Sequence, residues 1–150
     1  DVNGYVTIQT HDDEYNVYVC TDTHVATVNT KFQAFIQRYR EVKENVNENI
    51  EILGYVFTLM RKCSLHDSTK NALMKQREAQ GWPGEIFRTE IKQNVCLAET
   101  AAFRTNIFDY AERFTGKNIQ DRSKRESSLK AAEQYRELAR EILEKLNLNS

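Results

Sequence analysis

The sequence predicts an α/β fold in which helices flank a mostly parallel sheet and a β-hairpin lies at the N-terminus. Residues 51–60 form an almost unbroken apolar run, as expected of a strand that is buried on both faces. Strand-like and helical patterns alternate along the chain, which indicates βαβ units. The first two strand-like segments are too close together for a parallel crossover, which needs about a dozen residues.

Length and composition predict a single domain spanning residues 1–150. Hydrophobic residues make up 40% and charged residues 29%, as in soluble globular proteins. The net charge of −1 gives no general affinity for nucleic acid, so such a function would need a local basic patch. No apolar run approaches the roughly 18 residues of a membrane span. Three widely spaced cysteines favour reduced thiols in a cytoplasmic protein, and the first residue, Asp1, suggests an excised or incomplete chain.

The first half of the chain predicts a hairpin followed by a long helix. Residues 4–10 and 15–21 are rich in β-branched and aromatic side chains, and four polar residues separate them, which is typical of a hairpin. From residue 28 to 45, apolar side chains recur at helical spacing. These are Val28, Phe32, Phe35, Ile36, Tyr39 and Val42.

The second half predicts further alternation of helices and strands. After a polar loop at 61–67, in which Ser64 is a candidate cap, a helix extends to about Gln80. Its stop signal is the sequence GWPG at 81–84. There follow a strand at 85–91, a short helix at 97–103, a loop at 116–126 and an amphipathic helix at 127–146. The apolar positions of this last helix are Leu129, Ala132, Tyr135, Ala139, Ile142, Leu143 and Leu146.

The polar loop of Lys92, Gln93 and Asn94 is the strongest candidate binding site in the sequence. It directly follows the predicted strand 85–91, and ligands of open α/β sheets bind beyond the carboxyl ends of strands. No phosphate-binding glycine motif accompanies it, because neither G-x-x-x-x-G-K-[ST] nor G-x-G-x-x-G occurs in the chain. The sequence therefore excludes nucleotide binding through a P-loop of its own.

Three other possible sites compete with ordinary structural roles for the same residues. Cys20 with His24 and Cys63 with His66 form a zinc-type ligand set, but C-x-x-C spacing is missing and small buried cysteines are the more common case. No local motif supports a nucleophilic cysteine or histidine, and no metal site is predicted. The basic residues of the loop at 116–126 could contact DNA phosphates, although charged loops are more often simply solvated. They are Lys117, Arg122, Lys124 and Arg125.

Four segments carry a family resemblance. They are EILG at 51–54 with Val56 and TLM at 58–60, NVCLAE at 94–99, Phe103 with IFDY at 107–110, and Ala132, Tyr135, ELA at 137–139 and EIL at 141–143. In order and spacing they resemble the C-terminal half of ParA-type partition ATPases, of the ParA/MinD superfamily with a deviant Walker A loop. The resemblance covers about residues 15–145, and it leaves residues 1–14 as an atypical N-terminal strand or part of a hairpin before a ParA-like C-terminal half at 15–150.

The resemblance implies the C-terminal portion of a P-loop NTPase-like three-layer fold. The signature lysine loop of the family, K-G-G-x-G-K-[TS], and its switch aspartates are absent from these 150 residues. Where the family has Pro-Arg before the asparagine of its motif, this chain has Lys92 and Gln93, and Cys96 stands where a basic residue is common. The catalytic part of the family pattern is therefore missing, and we expect no ATPase activity from this chain alone.

Function follows from the resemblance as an expectation. The intact protein would bind ATP and magnesium, dimerise, bind nucleoid DNA without sequence preference, and act with a centromere-binding partition protein in plasmid or chromosome segregation. Met60, Lys92, Gln93 and Asn94 would line the adenine and ribose end of the ATP pocket. Neither ATP nor magnesium is expected to bind tightly to this chain alone. The alternative is a non-catalytic interaction or dimerisation module built on the same half-fold.

Overall fold

The computed structural model describes residues 5–9, 14–18 and 25–148, with side chains from residue 30 to residue 146. The described chain divides into two compact units. The first contains the residues up to Ile50 together with Ser64–Trp82, and the second contains Glu51–Cys63 and the residues from Pro83 onward. The expectation of one domain stays a prediction.

A β-hairpin and two helices make up the first unit. Strands β1 (Tyr5–Gln9) and β2 (Glu14–Tyr18) pair antiparallel, with Tyr5 opposite Tyr18, which confirms the predicted hairpin pairing. Helix α1 spans Val25–Asn45 and helix α2 spans Ser64–Gln80. The expected helix at 28–45 is thereby confirmed, whereas the predicted loop at 61–67 is shorter because α2 already begins at Ser64.

Apolar contacts hold α1 and α2 together. Ile36 on α1 and Leu73 on α2 are 2% and 3% exposed. The Phe32 ring stacks on Trp82, just after α2, with the ring centroids 5.8 Å apart. Gly81 ends α2 in the left-handed region at φ 61°, and the Trp82 amide donates to the carbonyl of Arg77 at 3.1 Å. This is the hydrogen-bond pattern of a glycine helix cap, and it confirms the predicted stop signal.

The second unit contains a short parallel strand pair and three helices. Strand β3 (Gly54–Tyr55) pairs parallel with strand β4 (Glu85–Ile86), and an isolated bridge joins Met60 to Lys92. The helices that follow are α3 (Val95–Ala102), α4 (Ile107–Glu112) and α5 (Ile119–Leu148). Their shared core consists of Cys96, Ile107, Tyr110, Ala131 and Ala132, with Leu97 and Phe114 packed against it.

The predicted fold class, a mostly parallel three-layer α/β sheet, is wrong. The described residues are mostly helical, and their strands form only two separate pairs, one antiparallel and one parallel. The apolar run at 51–60 contributes a strand of only two residues, and its members are half-buried or exposed, with Leu59 58% exposed. A strand is buried on both faces only when other elements pack over each face. The half-buried and exposed side chains of this run show that the described residues do not cover both of its faces.

Three further predictions were wrong: the strand at 85–91 is only β4 (Glu85–Ile86), the loop at 116–126 is mostly helical, and α4 was not predicted. The expected loop at 116–126 is largely the first part of α5, because Asn118 accepts the amide hydrogen of Asp121 at 2.8 Å and so caps the helix. The carboxylate of Asp121 in turn accepts the amides of Thr115 and Gly116 at 3.1 and 3.0 Å. Helix α4 was missed because its six residues are too few to show helical periodicity.

Candidate functional site

Met60 lies beside the predicted binding loop. The Gln93 amide donates to the carbonyl of Met60 at 2.9 Å, and Met60 donates its own amide to Ile91 at 3.1 Å. Arg61 donates a hydrogen bond from Nε to the side-chain oxygen of Gln93. The parallel pairing of the two chain segments therefore brings Met60 together with Lys92 and Gln93, which follow it by more than 30 positions in sequence.

Asn94 has a structural role in this loop. It is the N-cap of α3, where its Oδ1 accepts the Cys96 amide at 2.8 Å. The same oxygen accepts the Ser127 hydroxyl at 3.1 Å, and Asn94 Nδ2 donates to the carbonyl of Ser127 at 2.9 Å. Both ends of the amide are thus committed to the protein, and Asn94 ties the start of α3 to α5 instead of presenting a free polar group to a ligand.

Lys92 is the residue of this loop whose charged side chain has no ion-pair partner among the described residues. Its backbone amide donates to the side-chain oxygen of Gln134 on α5 at 3.1 Å, which fixes the backbone here. The side chain is exposed, and no carboxylate among the described residues lies within ion-pair distance of its ammonium group. The loop can therefore offer a flexible cation beside the half-buried Met60 side chain.

A charged cleft of about 590 Å³ adjoins Lys92 on the α5 side of the second unit. Its lining mixes cationic, anionic and neutral polar side chains. These are Arg88, Thr89, Glu90, Lys92, Gln134, Glu137, Arg140, Glu141 and Glu144. Ligand pockets are usually apolar with a few polar groups, so this cleft resembles a solvated groove more than a cofactor pocket.

Glu141 is the buried charged residue of that cleft, with 5% of its surface exposed to solvent. Its two carboxylate oxygens accept the amides of Arg88 at 2.8 Å and Thr89 at 3.0 Å, and the Arg88 guanidinium lies 3.6 Å away. Burial acts to raise the pKa of Glu141, but the hydrogen bonds from Arg88 and Thr89 outweigh it, so the pKa lies below the ordinary value. Glu141 is therefore ionised at neutral pH and holds the β4 segment onto α5.

The four basic residues proposed for DNA contact do not have equivalent surroundings. Lys124 donates to both oxygens of Glu99 on α3, at 3.0 and 3.1 Å, and Tyr110 also donates its hydroxyl to Glu99. The hydrogen bonds from Tyr110 and then Lys124 lower the pKa of Glu99, and the bond to Glu99 raises the pKa of Lys124. Lys124 thus fastens α5 to α3, and Tyr110, 2% exposed, joins α4 to the same carboxylate.

Lys117, Arg122 and Arg125 are exposed at the start of α5. Within the described part of the chain, none of the three has an ion-pair partner. Arg122 donates from Nε to the carbonyl of Gly116 at 3.0 Å, which leaves its terminal nitrogens available. Arg122 and Arg125 are three positions apart and lie on neighbouring parts of one helix surface.

The zinc alternative cannot be assembled from the described residues. Cys20 and His24 lie outside them, and no group of three or more His, Cys, Asp or Glu side chains in the described ranges is arranged to hold a metal. A separate finding is that no described helix is both long and apolar enough to cross a membrane.

Sequence reasoning did not identify three residues that organise this region, namely Glu99, Gln134 and Glu141. Glu141 and Gln134 lie next to apolar positions of a predicted amphipathic helix, where a polar residue is ordinarily assigned to solvent. Their partners are backbone amides some 40 to 50 positions away, as in the bond from Lys92 to Gln134. Backbone amides have no sequence signature, so no pattern in the chain could have revealed these bonds.

Comparison with known proteins found no matching family model, no matching curated protein and no matching solved structure. The resemblance to ParA-type ATPases therefore stays a prediction.

Proposed function

We propose that this chain is part of a ParA-like partition protein and binds DNA without sequence preference through Lys117, Arg122 and Arg125. The observation that carries the proposal is the set of three exposed cations at the start of α5 without carboxylate partners among the described residues. A cation that is not already neutralised gains most from a phosphate, because binding releases the counterions of DNA. Lys124 is a weaker candidate, since Glu99 already neutralises it.

The nucleotide part of the proposal involves the loop after β4. In an intact protein with a P-loop, Met60, Lys92 and Gln93 would face the adenine and ribose of ATP, while Asn94 would position them. The pairing of residues 54–60 with residues 85–93 supports this, because it gathers these side chains at one end of the strand pair. The phosphates and magnesium would need residues that these 150 positions do not contain.

DNA binding can be tested by fluorescence anisotropy with a labelled duplex at several salt concentrations. Replacing both Arg122 and Arg125 by Ala should weaken binding about tenfold and reduce the slope of log K against log salt by about 2, one for each lost phosphate contact. The matched control replaces Arg40 and Lys75, exposed cations of α1 and α2, by Ala. Equal affinities for the two double variants would contradict the proposed surface.

Enzyme activity has a separate test. We expect the purified 150 residues to show no magnesium-dependent ATP turnover, because no lysine loop is present to hold the phosphates. Measurable turnover that requires magnesium would overturn this expectation.

An interaction module is the second candidate function. It is favoured by the segment at residues 54–58, which begins with β3 and in which the backbone groups of Val56 and Thr58 have no hydrogen-bond partner among the described residues. Such a module would act by binding another chain and would need neither ATP nor DNA.

A further inference from the structure

The two outer edges of the β3–β4 pair differ in whether their backbone groups have hydrogen-bond partners. On the β4 side, the Phe87 amide donates to the Tyr55 carbonyl, and the Ile91 amide donates to the Phe57 carbonyl. Between these two bonds the β4 segment advances four residues while the β3 segment advances two. The intervening backbone bulges away from the ladder. Glu141 accepts the freed amides of Arg88 and Thr89, and Gln134 accepts that of Lys92. Side chains of α5 thus take the place that a further strand would occupy on this side.

On the β3 side, the backbone groups of Val56 and Thr58 form what we call the open edge. Successive residues of a strand direct their hydrogen-bonding groups to opposite sides, and Tyr55 and Phe57 face β4. Val56 and Thr58 therefore face away from β4. Neither has a hydrogen bond to any of the described residues, and Thr58 is exposed. An uncovered strand edge is a template for pairing with another chain.

The charged residues on either side of the open edge indicate which partner would fit it. Residues 54–60, GYVFTLM, contain no charged side chain. Charged side chains on an edge strand usually prevent it from pairing with another chain, so this edge lacks that protection. Glu51 precedes this stretch, and Arg61 and Lys62 follow it. Glu51 and Lys62 are both exposed and have no ion-pair partner within the described ranges. An antiparallel copy of the same stretch would place acid against base at both ends, whereas a parallel copy would place like charges together.

We propose that the open edge is a homodimer interface, formed by antiparallel pairing of residues 54–58 of two copies about a two-fold axis at Val56. Val56 of each copy donates its amide to the Val56 carbonyl of the other, and Gly54 lies opposite Thr58. The acidic end at Glu51 then approaches the basic end at Arg61 and Lys62 of the second copy. A four-stranded sheet replaces two isolated two-stranded pairs, which by themselves are marginal in water. This pairing rests on the second candidate function, the interaction module, because in a longer ParA-like protein the missing strands would pair with the same edge. It does not require DNA binding.

The hydrogen-bonding part of the proposal can be tested with Val56→Pro in the full chain. Proline removes the amide hydrogen that points to the second copy, and edge strands tolerate it where that hydrogen is not used internally. Sedimentation equilibrium across a dilution series should show a wild-type dimer and dimerisation at least about tenfold weaker for Val56→Pro, since the two-fold axis doubles the loss. Val56→Ala keeps the amide and is the matched control, and far-UV circular dichroism checks that all three proteins fold.

The orientation can be tested by charge exchange. Glu51→Lys and Lys62→Glu should each weaken the dimer by about two- to fivefold, as expected of exposed ion pairs, and the double variant should recover wild-type affinity. Both positions are exposed, so the fold should survive each change. Parallel pairing would give no recovery in the double variant.

Three results would overturn the proposal. The first is a wild-type chain that stays monomeric over the whole dilution series. The second is a folded Val56→Pro chain that dimerises as tightly as Val56→Ala. The third is a dimer that both single charge variants leave unchanged.

Discussion

The two compact units of this chain are stabilised in different ways. In the first, apolar contacts hold α1 against α2, with Ile36 and Leu73 buried and the Phe32 and Trp82 rings stacked. In the second, polar side chains make the long-range ties. Glu141 binds the backbone of the β4 segment, Asn94 binds Ser127, and Glu99 joins α3 to α4 and α5.

The difference shows that contacts between apolar helix faces can be predicted from the sequence, whereas bonds from side chains to distant backbone groups depend on the tertiary structure. Helices α1 and α2 can bury an amphipathic face against each other, and the pattern for doing so is written in the sequence. The second unit has short elements that cannot bury their backbone groups alone, so acceptor side chains of the long helix α5 satisfy them. We therefore expect the first unit to respond mainly to loss of apolar volume and the second mainly to loss of specific acceptors and to pH.

The largest effect is expected for Leu73→Ala in the first unit. Leu73 is 3% exposed, and removing a buried leucine side chain costs about 2–5 kcal/mol through lost burial and the cavity left behind. Urea unfolding followed by fluorescence measures the loss, because Trp82 is the only tryptophan and belongs to this unit. Leu65→Ala is the control, since Leu65 is 54% exposed and its loss should leave the midpoint almost unchanged.

Glu141→Ala should destabilise the second unit by about 2 kcal/mol or more, because it leaves two backbone amides without an acceptor. Urea unfolding followed by far-UV circular dichroism measures the change, because α5, with 30 residues, contributes the largest share of the helical signal among the described helices. Glu144→Ala removes a neighbouring acid that forms only an exposed ion pair with Arg88, so we expect a cost below about 1 kcal/mol. Equal costs for the two variants would show that the Glu141 bonds are not important for stability.

The smallest of the three effects is a loss of stability in acid. Glu99, Asp121, Glu133 and Glu141 each have a pKa below the ordinary value, which means that the folded state favours their ionised forms. Their contribution is complete above the pKa values of the unfolded chain, about 4, and is lost as the pH falls through the lower folded values. Urea midpoints measured between pH 7 and pH 3 should therefore fall below about pH 4.

A Glu141→Gln variant sharpens the acid experiment. Glutamine retains one acceptor oxygen but does not titrate near pH 4, so the variant should start less stable and then lose less on acidification than the wild type. Identical pH profiles for the two proteins would assign the acid sensitivity to the other carboxylates.

Sequence reasoning performed best where the information is local. Helix α1 follows from the spacing of its apolar residues, the end of α2 follows from Gly81, and α3 was placed to within about two residues. The start of α5 is also encoded locally, by Asn118 as cap and Asp121 in the first turn, although the dense charge of residues 117–126 predicts a loop. The hydrophobic run at 51–60 gave the wrong fold class because strand pairing depends on distant partners.

The candidate site shows the same division. The sequence pointed to Lys92, Gln93 and Asn94 because they follow the predicted strand 85–91, and the structure places Met60 beside Lys92 and Gln93 through parallel pairing. Two roles could not be read from residue types. Asn94 proved to be a helix cap, and Lys124 proved to be neutralised by Glu99.

By itself the sequence determined the hairpin, the two helices of the first unit and the amphipathic character of α5, because periodicity and caps act within a few residues. The tertiary structure alone decided which backbone amides lie near Glu141 and Gln134, and therefore that one side of the β3–β4 pair is covered and the other is open. The physical reason is that backbone amides are the same at every position, so only their placement in space selects a partner for them.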